Sequence, residues 1–188
     1  MNTSGSINEF LLQAIAFVKV SQSMAGADPV SLHDDDAPGL KDLGNGLFVA
    51  YVVDDGEGLV YVQNHHLKGT QLTLDGLYEL GVHNLAVRSA GKARMQQHGD
   101  VHAFQLDGLF EASLLLLDDL WDESLAHLAP NGFVAAFPAR DVLAVCDARS
   151  EEGIRSLHNM ANRVAAGGDH LLTTNLYQRQ SGKWLPLP

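Results

Sequence analysis

The sequence predicts an α+β fold in a single domain, with a mainly antiparallel sheet and helices packed against it. Pairs of strand-like segments joined by short turns alternate with single helical segments, which is typical of such a sheet. Hydrophobic residues make up 46% of the chain and charged residues 19%, a composition typical of a folded protein. A chain of 188 residues can bury one substantial core. We expect residues 1–45 to form an N-terminal helix and a polar loop, and residues 46–188 to form the α+β core of the same domain.

The first predicted element is a helix. Ser6 and Glu9 have the spacing of a capping box, and apolar residues follow at helical intervals. The pattern predicts a helix over residues 7–25, ended by the segment Gly26–Pro29. Residues 33–46 are polar and contain turn-forming residues, so we expect a loop there.

A hairpin and a second helix come next. Leu47–Val53 and Leu59–Gln63 are rich in β-branched and aromatic residues, and a short acidic glycine loop separates them. Thr73 is a suitable cap for a helix whose apolar residues recur on one face up to about Ala90. Gly91 then ends this helix.

The middle of the chain is the most apolar part. Arg94–Gln97 and Val101–Leu106 predict a second hairpin. The segment Phe110–Leu116 alternates like a strand, although its leucine run also suits a buried helix. We favour a strand there, followed by a short helix over residues 118–128.

The last part of the chain predicts two strands, a helix and a final strand. Phe133–Phe137 and Val142–Cys146 are strand-like. Ser150 caps a helix over residues 151–166, and residues 173–178 form the last strand before a turn.

Charge limits the classes of partner. The formal net charge is −11, and the 12 lysines and arginines form no cluster, so we do not expect nucleic-acid binding. An acidic protein suits a partner with a basic surface, although solubility alone also explains the charge. No apolar run reaches the roughly 20 residues of a membrane helix. The first residues lack the positive region of a secretory signal, and the single cysteine, Cys146, fits a reducing cytoplasm.

The main candidate site is Arg140 with Asp141, which interrupts two apolar strand segments. A charge there is costly to bury unless it is paired. Arg140 therefore either binds a carboxylate or phosphate, forms an ion pair in the turn, or donates to main-chain carbonyls. His83 and Arg88 on the second helix are further candidates, His83 as a base and Arg88 as an anion clamp. The alternative for both is an ordinary solvated helix face.

The nine histidines raise the possibility of a metal site. His98 and His102 are the candidate ligands, but they lie in a predicted hairpin, and surface histidines are the alternative. His158 falls on the apolar face of the last helix, as a hydrogen-bonded core residue would. We predict no cofactor, because the short glycine loops lack the helix that a phosphate-binding loop precedes.

Acidic residues cluster around Trp121. This cluster suits a divalent cation or a basic partner, although acids are also common at the start of an ordinary helix. Its members are Asp118, Asp119, Asp122 and Glu123.

Several segments occur in an order found in one bacterial family. They are Leu47–Tyr51, Asn84–Arg88, Glu111–Trp121, Ala139–Leu143, Asp147–Ile154 and Leu176–Tyr177 with Trp184. Together they resemble the YtpQ-like family, domain of unknown function 1444, over about residues 45–185. The resemblance implies a bacterial cytoplasmic protein and carries no catalytic residue, because the family has no established activity.

Two functions follow from these patterns. The first is a non-catalytic, immunity- or adaptor-like module that binds a partner protein through an acidic surface. The alternative is a hydrolase or transferase that acts on a small anionic substrate at Arg140, Asp141, His83 and Arg88.

Overall fold

The structure, a computed structural model, describes residues 8–21 and 33–187. It confirms an α+β fold built on antiparallel sheets. The chain divides into two compact units, residues 1–88 and residues 89–188. This boundary differs from the one expected near residue 45. The expectation of one domain overall stays a prediction.

The first unit is built on a four-stranded sheet in which β3 is central. It pairs antiparallel with β1, with β2 and with β4. The elements of this unit are α1 Glu9–Leu12, β1 Ile15–Val20, β2 Leu40–Gly44, β3 Leu47–Asp54, β4 Leu59–Tyr61, α2 Asn64–Leu67 and α3 Leu74–Ser89.

The predicted helix over residues 7–25 is wrong within the described residues. The single turn α1, capped by Asn8, is helical, but the chain then enters β1, which occupies Ile15–Val20 of the predicted helix. Five of the six β1 residues are buried, so the strand has apolar side chains on both of its faces. Such a strand gives a nearly continuous apolar run that period alone cannot distinguish from a helix. Ser6 and residues 22–25 lie outside the described residues.

The predicted polar loop over residues 33–46 contains the strand β2. Its residues are half-buried or exposed, and it pairs with the first half of β3 with a register shift between Asp42 and Gly44. Its two leucines, Leu40 and Leu43, are three residues apart, so this edge strand lacks the apolar alternation that would have indicated it.

The helix α3 packs closely against β1. Leu77, Gly81 and Leu85 are one helical turn apart and buried. A Cβ atom added to Gly81 would lie 2.9 Å from the backbone nitrogen of Ala16, so only glycine allows this approach. The predicted cap is confirmed: the Thr73 hydroxyl accepts a hydrogen bond from the backbone N–H of Gly76 at 3.1 Å.

The second unit contains a six-stranded antiparallel sheet in the order β10-β9-β7-β8-β6-β5. A 3₁₀ segment, a π-helical turn and a second 3₁₀ turn connect β6 to β7. The elements are β5 Arg94–His98, β6 Val101–Gln105, 3₁₀ Ala112–Leu116, π Leu120–Ser124, 3₁₀ Ala126–Leu128, β7 Phe133–Ala136, β8 Leu143–Asp147, α4 Glu151–Ala165, β9 Tyr177–Gln180 and β10 Lys183–Pro186.

The two faces of this sheet carry different side chains. One face is apolar and packs against α4, and its core includes Val134, Cys146 and Leu157. Side chains alternate along a strand, so the opposite face carries Phe133 on β7 and Arg179 on β9. Aromatic rings cover this second face, which is where the candidate site lies.

The strand predicted over Phe110–Leu116 is wrong. Residues Ala112–Leu116 form a 3₁₀ helix, and all five are buried. A segment buried on every side has no polar positions to mark its period, so the leucine run could not distinguish the two structures. The short helix predicted over residues 118–128 is irregular, because it consists of the π-helical turn and the second 3₁₀ turn.

The remaining predictions for this unit are mostly confirmed. Both hairpin strands β5 and β6, the strands β7 and β8, and the helix α4 with its cap Ser150 lie close to their predicted bounds. The strand predicted over residues 173–178 is β9, Tyr177–Gln180, and a further strand, β10, follows it where the sequence predicted only a turn. Thr173, placed in that strand by the sequence, lies in the preceding loop.

Candidate binding site beside Arg179

Arg179 is the buried cation of the second sheet face. The alternation of β9 directs its side chain to the same face as Tyr177, and its register partner on β10 is Trp184. The guanidinium carbon lies 5.4 Å from the centre of the Trp184 ring, within the range of a cation–π contact. Only 5% of the Arg179 side chain is exposed, so its charge needs partners inside the protein.

Two aspartates of the acidic segment supply those partners. Nε and Nη2 of Arg179 donate to the two carboxylate oxygens of Asp122 at 2.7 and 2.6 Å. Nη2 also donates to Asp118 at 2.8 Å. Burial disfavours the charged guanidinium, but the bonds to Asp122 and Asp118 outweigh burial and raise the pKa of Arg179. The same bond to Arg179 lowers the pKa of Asp122 below its usual value.

One nitrogen of the guanidinium has no acceptor. Nη1 of Arg179 is buried and forms no hydrogen bond with any described residue. A buried donor without a partner costs about 1–3 kcal/mol. One nitrogen of the site, with its two N–H groups, is therefore left without an acceptor among the described residues.

Aromatic rings hold the floor of the site. Trp121 makes edge-to-face contacts with Phe104, Phe133 and Trp184 at centroid distances of 5.3–5.5 Å. Its indole N–H donates to the carbonyl of Leu114 at 2.9 Å, and that of Trp184 donates to Leu115 at 3.0 Å. The buried 3₁₀ segment thus fixes both indoles, because each buried N–H has its acceptor there.

A pocket of about 270 Å³ opens beside Arg179, entirely within the second unit. It is small compared with the roughly 300–1,000 Å³ of typical small-molecule sites. Its wall combines aromatic rings, glycines and one ion pair. The residues that define it, called the Arg179 pocket below, include Trp121, Asp122, Ala126, Gly132, Phe133 and Arg179.

The acidic cluster borders this pocket and is exposed to solvent. It lies on the π-helical turn and the residues before it, and all four of its members are exposed. The four carboxylates and the guanidinium of Arg179 together carry a net charge of −3. We call Asp118, Asp119, Asp122 and Glu123 the acidic patch. An arrangement of this sign attracts cations and repels anions.

Arg140 and Asp141 lie in the turn between β7 and β8. Asp141 is exposed and Arg140 is half-buried. The backbone of Arg140 bonds on both sides, its N–H to His170 and its carbonyl to the N–H of Ala112. Its Nε is buried and has no acceptor among the described residues. These two residues stay a candidate site, but the structure places no other predicted site residue in this turn.

His83 and Arg88 belong to the first unit, on α3. His83 is exposed. Arg88 donates to Asp54 at 2.9 Å and is half-buried. The backbone N–H of Gly56 and the Arg88 guanidinium lower the pKa of Asp54. Arg88 therefore pairs with the last residue of β3 in its own unit, which makes the role of anion clamp less suitable for it.

The histidine candidates lie on opposite faces of the β5–β6 hairpin. His98 is the register partner of Val101, whereas His102 pairs with Gln97, one position further along. Cross-strand partners share a face and neighbours alternate, so the two rings point to opposite sides. Among the described residues, no three His, Cys, Asp or Glu side chains are placed to hold a metal ion. His158, expected on the apolar face of its helix, is exposed.

The sequence prediction missed Arg179. It ended the last strand at Gln178, so it placed this arginine outside the sheet. The available signal was an arginine that lies two residues after Tyr177 and five residues before Trp184, together with an acidic cluster elsewhere in the chain. Arg179 and Asp122 are 57 residues apart in the sequence, so the spacing of neighbouring residues does not predict their ion pair.

No family model, curated protein or solved structure matches this chain. The resemblance to the YtpQ-like family therefore stays a prediction. In the part of the chain that the structure describes, no helix is both long enough and apolar enough to cross a bilayer.

Proposed function

We propose that this protein is a non-catalytic module that binds a partner protein with a basic surface through the acidic patch. The observation that carries the proposal is the set of four exposed acids on one short segment beside a pocket. Electrostatic fields of opposite sign on the two proteins speed their association and orient the partner. We further propose a cytoplasmic location, which suits the single free cysteine, Cys146.

The protonation state of the site supports docking more than proton transfer. Asp122 has a lowered pKa because Arg179 stabilises its charged form. A general acid at neutral pH needs a raised pKa instead. Asp122 is therefore held as a carboxylate by Arg179, and the four carboxylates of the acidic patch outnumber this one guanidinium, which gives the patch the sign that a cationic surface recognises.

The scaffold under the patch also supports docking. The irregular segment from Ala112 to Leu128 is anchored at its start by buried 3₁₀ residues and at its centre by Trp121. The carboxylates of Asp118 and Asp122 are oriented by one guanidinium. Groups ordered before binding lose less conformational entropy when the partner docks.

A charge-reversal comparison tests this function. The protein and its variant Asp119→Lys/Glu123→Lys serve as baits in a lysate of the source cells, and each captured protein is purified and titrated against both. We expect a stoichiometric partner with a basic surface that binds the variant at least about tenfold more weakly, since each lost attraction becomes a repulsion. A partner that binds both baits equally would refute the proposal. The matched control is Asp55→Lys/Glu57→Lys, which makes the same charge change in the first unit.

One observation favours the alternative function. The buried Nε of Arg140 has no acceptor in the described residues, as expected of an arginine that awaits a small anion. Titration of inorganic phosphate against the protein and against Arg140→Gln tests the binding step of a hydrolase or transferase. Binding that is lost in the variant would favour this function, and equal or absent binding would count against it.

A further inference from the structure

A histidine closes the cap of the short helix α2. The backbone N–H of Gln63 donates to Nδ1 of His66 at 2.9 Å. The two residues occupy the cap and the third helical position, which is the arrangement of a capping box. Glutamate or glutamine is usual at that third position. A histidine makes the cap sensitive to protonation, because only an unprotonated Nδ1 can accept a hydrogen bond.

A polar turn of the chain is held by the same end of α2. The turn consists of residues 33–37 and is called the acidic turn below. Hydrogen bonds of 2.7–2.9 Å join its backbone carbonyls to the first residues of α2 and to the cap. The acceptors are Asp34, Asp35, Asp36 and Ala37, and the donors are, in the same order, the Asn64 side chain, the His65 backbone, the Gln63 side chain and the Asn64 backbone. The contact therefore depends on the conformation that the cap maintains.

The surroundings of His66 favour its neutral form. The ring is half-buried, and its centre lies 4.7 Å from that of Phe10 on α1 and 4.0 Å from that of His65. Burial and the neighbouring His65 lower the pKa of His66, against a smaller opposite effect of the Gln63 backbone. The structure thus holds this ring in the state that the cap requires.

Protonation of His65 would have the opposite effect on the turn. Its Nδ1 lies 3.1 Å from the carbonyl of Asp35, which can only accept, so Nδ1 is the donor. A proton on the other ring nitrogen leaves this bond in place and adds attraction to the carboxylate of Asp36 at 3.8 Å. The other charged or titratable residues described on α1, on the acidic turn and beside α2 are exposed, and they are Glu9, His33, Asp34 and the ion pair of Asp35 with Lys68.

We infer that His66 is a pH-sensitive latch, whose protonation opens the cap of α2 and releases the acidic turn. A proton on Nδ1 would face the N–H of Gln63, so a donor would lie against a donor and the ring must turn away. The latch should be closed above the ordinary histidine pKa of about 6.5, and it should open as the pH falls through the lowered pKa of His66. It belongs to the first unit and does not depend on the acidic patch.

The test compares the protein with its variant His66→Gln by NMR between about pH 8 and about pH 5. A glutamine side chain accepts from the cap N–H but does not titrate. Ring signals report the protonation of His66, and hydrogen exchange, corrected for its intrinsic pH dependence, reports the protection of the Gln63 and Asn64 amides. We expect this protection to fall at least about tenfold in the wild type, in step with His66, and less than about twofold in the variant.

The matched control is His65→Gln, which replaces the neighbouring histidine by the same residue. Protection of the Gln63 and Asn64 amides should still fall on acidification. The midpoint should lie at a higher pH than in the wild type, because the charge of His65 no longer opposes protonation of His66.

Three results would overturn the inference. The first is protection that falls in His66→Gln as far as it does in the wild type. The second is protection that persists in the wild type while His66 becomes protonated. The third is a neutral His66 ring that carries its proton on Nδ1, as read from the nitrogen chemical shifts at the alkaline end of the titration. The last two need only the wild type, so they decide the outcome even if a variant does not fold.

Discussion

Arg179 and Asp122 form a two-point ion pair between the end of the chain and its most irregular segment. Nε and Nη2 of the arginine meet both carboxylate oxygens at 2.7 and 2.6 Å, across 57 residues of sequence. Parallel contacts of this kind fix direction as well as distance. The pair therefore orients the acidic patch and closes one side of the pocket beneath it.

Replacing Asp122 by asparagine should destabilise the protein near neutral pH. The buried guanidinium would lose its two-point partner and keep only Asp118. Because the Asp122 side chain is 51% exposed and partly screened by solvent, we expect a loss of about 1–2 kcal/mol in the free energy of unfolding. Urea denaturation measures it. Asp119→Asn, with the same charge change, should stay within about 0.5 kcal/mol.

The cost of Asp122→Asn should depend on pH in one direction. Arg179 lowers the folded-state pKa of Asp122, so this carboxylate stabilises the protein above its unfolded pKa of about 3.9. The contribution is lost as the pH falls through the lowered folded pKa. The difference between the wild type and the variant should therefore shrink below about pH 4. A difference that stays constant down to lower pH would show that the ion pair does not cause it.

The indole of Trp184 should stabilise the fold through the hydrogen bond of its N–H as well as through the packing of its ring. Trp184→Phe removes the donor to the buried carbonyl of Leu115. We expect a loss of at least about 1 kcal/mol in the free energy of unfolding and a changed near-ultraviolet circular dichroism spectrum. A loss below about 0.5 kcal/mol would mean that the 3₁₀ segment is held without this bond.

Two glycines of α3 should respond oppositely to alanine. At Gly81 the new Cβ would lie 2.9 Å from the backbone of β1, and we expect a loss of about 1–3 kcal/mol. At Gly76 the nearest atom is the flexible end of Leu72 at 3.1 Å. Alanine is better than glycine in a helix by up to about 1 kcal/mol, so Gly76→Ala should be neutral or stabilising. Thermal or urea unfolding of both variants measures these changes. A neutral Gly81→Ala would refute the close packing described for α3.

The thiol of Cys146 should be unreactive in the folded protein. Burial, assisted by the nearby charge of Asp147, raises its pKa to about 12, so almost none is thiolate at mildly alkaline pH. We expect iodoacetamide to alkylate it at a rate limited by unfolding, and quickly in urea. Mass spectrometry follows the reaction. Rapid alkylation without denaturant would contradict its position under Gly153 of α4.

Local patterns predicted most elements of the second unit. Ser150 has its capping hydroxyl, and the strands β7 and β8 have their apolar runs, so short-range chemistry was sufficient for them. The wrong predictions concern segments that are either buried on every side or exposed at a sheet edge. Ala112–Leu116 is buried on all sides, and the two leucines of the edge strand β2 are three residues apart, so neither segment has the apolar alternation of a strand or a polar face to mark its period.

The candidate site was only half predictable. The acidic cluster was visible because its four members are close in sequence. Arg179, which gives the cluster its geometry, was not, because the pairing of β7 with β9 and of β9 with β10 brings it there. Arg140 was chosen for its apolar surroundings, and its buried, unpartnered Nε agrees with that reasoning without assigning a role.

The most direct test of the account is to map where a basic peptide binds. Isotope-labelled protein is titrated with hexalysine at low and at physiological ionic strength, and the amide shifts are assigned. We predict salt-sensitive shifts centred on Asp118–Ser124 and on the rim of the Arg179 pocket, with weaker effects at the exposed acids Asp34–Asp36 of the first unit. Shifts spread evenly over all acidic residues, or centred on Asp34–Asp36, would contradict the proposal that the acidic patch is the docking surface.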